Sequence, residues 1–575
     1  MKNNKILYIT FTTLLLIGSC KQEVITTTQP VTPTPGTPSK GSGDFTKFVA
    51  VGNSFVAGMQ AYALFDESQA NSIPKIIAKQ LETVGGATTW NQPDIGSVNG
   101  YNPVSSVFSP SSVVPVFTVG RYFLFDPDGP TVNGPDGLPV SGTRSAGPAA
   151  AGSPPSTVTC PSTVSTPASP APYNTANYPT DFTGSKPALN NFGIPLIFMQ
   201  QLLTPATGGP ASTANPAYNV FFKRFAVTPS PDGATGSTIL GDAKAAAGTF
   251  YMIWFGFDDV LLYAATGADG ATAGTYPMTA TANFTQYFNL AISAPVGAVP
   301  ALPTGGLTTG TTWKGVVGNI PDFTSLPYFT TVPWNTINTL DAATVTSLTI
   351  GLATPYNGFL DAMAAAGAIT TAERDKRKLS YVAKPAGNGV LMVDESLTDL
   401  TSLMNANRAG ALVPFARARQ ANSSDLVPLA AGAVLGTCVA GPPPGTAVYG
   451  VSYPVPDRYM LTSVETFAIL TRTNEFNGVI SSAVTASNGR LFLADVRKGY
   501  NDLVTNKSFS ADGVVLTPTF APPTGTFSED GIHPNNRGAA FTANIFINAI
   551  NTNFAASIPN ANLSLYSTTK LPANP

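Results

Sequence analysis

The sequence predicts an α/β fold in which a parallel sheet is covered by helices on both faces and interrupted by long loops. Three observations carry this prediction. Short apolar runs of strand length recur along the chain: FTKFVAVG (45–52), TFYMIWFG (249–256), WKGVVGNIPDF (313–323) and RLFLADV (490–496). Helical patterns alternate with them, and that alternation argues for a parallel sheet buried on both sides. The 53 glycines and 51 prolines gather in stretches such as 100–186 and 420–457, which read as insertions upon a core. No period of repeat-protein length stands out.

Taken in order, the chain opens on MKNNKILYITFTTLLLIGSC, a basic start and an apolar run ending in small residues before Cys20. The pattern predicts a secretory signal over residues 1–19, too short for a permanent membrane span. Ile17-Gly18-Ser19-Cys20 resembles a bacterial lipobox, which implies that Cys20 is lipidated, becomes the mature N-terminus and anchors the protein stably. The Thr/Pro-rich stretch 20–43 cannot bury a core and reads as a semi-extended spacer. The expected address is therefore exported and membrane-anchored, at the outer membrane or cell surface.

The folded region is expected to span residues 44–555, followed by a tail over 556–575. Its first strand, FVAVG, runs directly into Asn53-Ser54. SIPKIIAKQL (72–81) predicts a helix, with Pro74 in its first turn and Ile76, Ile77 and Leu81 repeating at helical spacing. A long amphipathic helix is predicted over 458–484. A final helix over 537–554 places Phe541, Ile545 and Ala549 on one face.

Charge is scarce. Charged residues make up 11% of the chain, with 30 basic against 32 acidic side chains. No basic field exists for a phosphate backbone, which argues against nucleic acid and leaves a neutral or weakly polar partner. Three cysteines and one histidine leave no zinc site. With Cys20 lipidated, Cys160 and Cys438 remain, and an oxidising compartment permits a disulfide between them. DPDGPTVNGPDG (126–137) loosely resembles an acidic calcium loop but lacks the bidentate Glu at its end, so it reads as a turn-rich loop.

The only histidine, His533, sits in EDGIHPNN, three residues after Asp530. Taken alone, such a histidine is as readily a loop or helix-entry residue as a functional one. Ser54 lies at the other end of the chain, on a strand-to-helix turn flanked by Gly52, Ala57 and Gly58. A serine there is exposed at the carboxyl edge of the sheet, beside amides that favour developing negative charge. It needs a base to become a nucleophile, and imidazole has the right pKa. Asp530 at this spacing can reach one ring nitrogen and fix its tautomer.

Gly52-Asn53-Ser54-Phe55 with Gly58, and Asp530-Gly531-Ile532-His533-Pro534, resemble the first and last blocks of the SGNH (GDSL) hydrolases. The resemblance implies a three-layer α/β/α sandwich of flavodoxin-like type. It also implies an ester hydrolase with Ser54 as nucleophile, His533 as base and Asp530 as its orienting carboxylate, without metal or organic cofactor. Asn191-Phe192-Gly193-Ile194-Pro195 resembles the second block, whose glycine amide (Gly193) supplies an oxyanion donor. Gly256-Phe257-Asp258-Asp259 resembles the third.

Two positions depart from the family pattern. Asn53 stands where the family has a structural aspartate, and an amide of that shape is expected to serve. Asp258 stands where the family has an asparagine that donates to the oxyanion, and an ionised carboxylate has no proton to give. Three escapes are open: Asp258 is protonated by burial beside Asp259, another asparagine takes its place, or the Ser54 and Gly193 amides suffice. Otherwise the chain is a binding lipoprotein that captures a glycan or lipid on the same scaffold. A structural surface-coat protein fits the low charge but leaves the motif blocks unexplained. The substrate class, lipid ester or acetylated sugar, is not encoded in any readable pattern.

Overall fold

A computed structural model describes residues 37–97, 100–101, 179–212, 214–270, 277–292, 313–439 and 447–569. The leader, Cys20, Cys160 and the acidic turns at 126–137 lie outside the described residues, as does most of the 100–186 insertion. Among the described residues, no helix is long and apolar enough to cross a membrane.

Five parallel strands form the central sheet: β1 (Phe48–Gly52), β2 (Asn191–Gly193), β3 (Phe250–Trp254), β4 (Lys314–Gly318) and β7 (Leu491–Ala494). Their spatial order is β2-β1-β3-β4-β7. Register runs Gly52 opposite Gly193 on one side of β1 and opposite Trp254 on the other. The chain moves outward from β1 to β2, then crosses back to β3 on the other side. Such a reversal makes a topological switch point at the carboxyl ends of β1 and β3.

Every residue of β1 and β3 is buried, because helices cover both faces. On one face, the helix Asn536–Phe554 lays Phe546 against Trp254 (5.6 Å between ring centres) and Phe554 against Phe250 (5.2 Å). On the other, Phe288 of the helix Thr281–Ile292 meets Phe255 just beyond β3, and its neighbour Phe284 stacks on Phe476 of the helix Ser463–Ala486 at 3.8 Å.

The four strands predicted from apolar runs are all present, while β2 is a three-residue strand without such a run. The long helix starts at Ser463 rather than 458, because Thr462 and Glu465 close a capping box there. In the last helix the deeply buried stripe runs through Ala543, Phe546, Ile547, Ile550 and Phe554; Ile545 and Ala549 lie only half-buried at its margin. Residues 556–569 are no free tail. Ile558, Ala561 and Leu563 enter the main core, and the Arg537 N–H donates to the Ser567 carbonyl. The last residues of the spacer are pinned too: Ser42 N–H donates to the Phe554 carbonyl and Ser557 N–H to that of Ser39.

Between β4 and the helix Ser463–Ala486 the chain builds a second hydrophobic core from Val332 to Met460, centred on Tyr356, Leu360, Val390 and Met404. It includes the antiparallel pair β5 (Leu391–Val393) and β6 (Ala418–Gln420). Buried Arg419 joins Asp394 to Asp425 within it. This inserted body is larger than the Pro/Gly-rich stretch at 420–457. Cys438 in that stretch is disulfide-bonded.

Candidate active site

The turn after β1 is held tightly. A Cβ on Gly52 would lie 2.4 Å from the Trp254 carbonyl oxygen, so only glycine lets the strands meet there. Asn53 then caps the one-turn helix Ser54–Ala57, its Oδ1 accepting from Phe55 N–H. Its Nδ2 meets no acceptor. Gly58 ends the turn at φ +86°.

The loop before the last helix is organised by one carboxylate. Asp530 Oδ1 accepts from the backbone N–H of Ile532 and of His533, at 2.8 Å each, and from the Ser528 hydroxyl at 3.1 Å. Asp530 Oδ2 accepts from Tyr62 N–H (2.7 Å) and from His533 Nδ1–H (2.7 Å). Burial pushes the Asp530 pKa up, but the adjoining imidazole and these hydrogen bonds outweigh it and hold the carboxyl below its ordinary range. An ionised Asp530 can only accept, so Nδ1 carries the imidazole proton. His533 Nε2 therefore accepts from the Ser54 hydroxyl, 2.9 Å away. The Phe55 ring lies 5.0 Å from the imidazole and fixes its plane from one side.

Residues 54, 530 and 533 thus meet through two hydrogen bonds, although 479 positions separate Ser54 from His533. The group is enclosed: Ser54 is 0% exposed and His533 2%. The open polar cleft at the ends of β4 and β7, lined by Asn319, Asn477, Asp495 and Arg497, does not include it.

Gly193 does not play the expected part. Its N–H donates to Asn191 Oδ1 at 2.9 Å and is therefore occupied. Its role is close packing, since a Cβ there would fall 2.2 Å from the Ala57 backbone nitrogen, within the helix that carries Ser54. Two other amides are free. Among the described residues no acceptor meets the N–H of Ser54 or of Leu196. Leu196 is buried and held at φ +50°, a left-handed conformation unusual for leucine. Its carbonyl and that of Pro195 are gripped by Asn219 Nδ2. No sequence signal marks Leu196, because glycine or asparagine is the usual sign of such a position.

Asp258 opens the helix that follows β3 and is completely buried. Its Oδ2 accepts from Ile197 N–H (2.9 Å), while Oδ1 meets no donor. Burial pushes its pKa up to about 6, against the lowering effects of the Ile197 amide and His533. Next to it, Asp259 accepts from the Thr279 hydroxyl (2.6 Å) and Met199 N–H. Burial raises its pKa to about 7; these hydrogen bonds oppose the rise and the Asp258 charge adds to it.

The chain matches no protein-family model, no curated protein and no solved structure. Function therefore rests on the site itself. A hydroxyl, imidazole and carboxylate in series, with no charged residue among their direct partners except Asp530, can activate an oxygen nucleophile. Among the described residues, the one grouping of carboxylates close enough to share a cation (Glu395, Asp457 and Glu465) lies outside this trio.

Proposed function

We propose that the chain is an SGNH-type serine ester hydrolase with the flavodoxin-like sandwich that name implies, exported and held at a membrane surface through Cys20. The observation that carries the reading is the Ser54–His533–Asp530 relay at 2.9 and 2.7 Å. Ser54 Oγ attacks an acyl carbonyl while Nε2 takes its proton, and Asp530 stabilises the imidazolium. The tetrahedral oxyanion accepts from the Ser54 and Leu196 amides, in place of the Gly193 amide. His533 returns the proton to the departing alcohol, and water, activated by the same imidazole, releases the acid. The position of Ser54 at the carboxyl end of β1, beside the β1/β3 switch point, supports this reading.

The test uses short-chain p-nitrophenyl esters and a fluorophosphonate probe. Wild type is expected to hydrolyse the esters and to be labelled on Ser54. Ser54→Ala and His533→Ala should each lose activity by about 10⁴-fold or more. Equal turnover in all three proteins, with no labelling, would sink the proposal.

A second reading is favoured by the enclosed serine and the partnerless Asp258 oxygen: a scaffold that captures a glycan or lipid without turnover. In that case the probe leaves Ser54 unlabelled, while ligand binding survives Ser54→Ala.

A further inference from the structure

We propose that Glu395, Asp457 and Glu465 form a calcium site that clamps the inserted body onto the sheet domain. One carboxylate oxygen from each lies within 4.8 Å of the others. Clustering alone would mean little, but two of the three carry buried oxygens that no donor meets. Both oxygens of Asp457 are shielded from solvent and meet no donor. Glu465 is 9% exposed; Thr462 N–H and its hydroxyl hold Oε2, leaving Oε1 buried without a partner. A carboxylate stripped of water and given no hydrogen bond is costly unless a positive charge faces it.

An all-oxygen, carboxylate-only set suits a hard cation, and calcium tolerates the irregular geometry that magnesium rejects. Three carboxylates leave coordination positions for water, which exposed Glu395 admits.

The site also joins two parts of the fold. Glu395 follows β5 and Asp457 precedes Met460, both within the inserted body. Glu465 opens the helix Ser463–Ala486, whose Ile469, Phe476 and Ile480 belong to the main core. An ion bound there ties the body to the sheet domain at the point where the chain returns.

The test is calorimetric titration of calcium chloride into the full chain after chelator treatment, with thermal unfolding followed in parallel. Wild type should bind one ion and unfold at higher temperature with calcium than without. Asp457→Asn should weaken binding by about tenfold or more, yet unfold at a higher temperature than wild type when calcium is absent, since it relieves repulsion. A merely structural Asp457 would show the opposite change. If that variant does not fold, Glu395→Gln gives the same comparison from an exposed position. No heat and no thermal shift in wild type, a calcium response unchanged in the variant, or an equal response to magnesium would each overturn the assignment.

Discussion

The free oxygen of Asp258 has two chemical states, and only one suits a nearby oxyanion. Protonated, it is a donor where the SGNH pattern expects an asparagine amide; ionised, it repels developing negative charge. Burial holds its pKa up at about 6, so the neutral form prevails below that pH and fades above it. Under the proposed mechanism, wild-type kcat/KM therefore falls as pH rises through about 6. Asp258→Asn removes that descending limb and raises kcat/KM at pH 8 by about 10²-fold. A pH–rate comparison of the two proteins reads this directly, and superimposable profiles would place Asp258 out of reach of the oxyanion. Asn53 raises a smaller point at the same scale. Its Oδ1 does the capping that an aspartate would do, but its Nδ2 is a buried donor without an acceptor, a cost of about 1–3 kcal/mol. Asn53→Asp exchanges that donor for a buried carboxylate oxygen with no donor facing it, so it should lower stability in a denaturant melt.

The elements differ in how plainly the sequence announces them. β1 and β3 were legible because a strand buried on both faces needs an unbroken apolar run, and β4 and β7 because short apolar runs stand out between turn residues. β2 was not: Asn-Phe-Gly is too short for periodicity, and it pairs only with β1. The inserted body was also hidden, since its helices over 342–365 are built from Ala, Thr and Gly and leave few apolar stripes to read. In the site, the side chains could be found by type and spacing: one histidine, an aspartate three residues earlier, a serine in a turn. The backbone donors could not, because any residue supplies an amide. Tyr62, which holds Asp530, and Leu196 take positive φ without being Gly or Asn. Gly193 was found for the wrong reason, as a donor rather than as space. That space can be tested: Gly193→Ala forces a methyl into the Ala57 backbone, and β2 or the Ser54 helix must shift. Activity should fall with thermal stability, and a variant with wild-type rate and melting point would show that the helix has room to move.

For the whole molecule, the buried carboxylates set a pH optimum of stability. The pKa values of Asp258, Asp259 and Asp457 are raised to about 6, 7 and 8, above the ordinary value of about 3.9. Stability from these groups is complete below that ordinary value and is lost as pH rises through the raised ones. Asp394 works in the other direction. Burial opposes ionisation there, but Ser396, Arg419 and Lys376 outweigh it and hold the pKa at about 2, so its stabilisation is lost as pH falls toward that value. Asp530 is also held below its ordinary range and likewise loses its stabilisation in acid. The unfolding temperature without added metal should therefore decline from pH 5 to pH 8, most steeply below about 6; above about 7 only Asp457 contributes, so Asp457→Asn should level off there while wild type still falls. A flat profile in differential scanning calorimetry would contradict the assignment of these groups. One more consequence follows from the way Ser42 is fastened to Phe554 and, through its carbonyl, to the Lys314 ammonium at the first residue of β4. Residues 39–42 are thus fastened at the amino ends of β1 and β4, whereas Ser54 stands at the carboxyl end of β1, on the far side of the sheet from them.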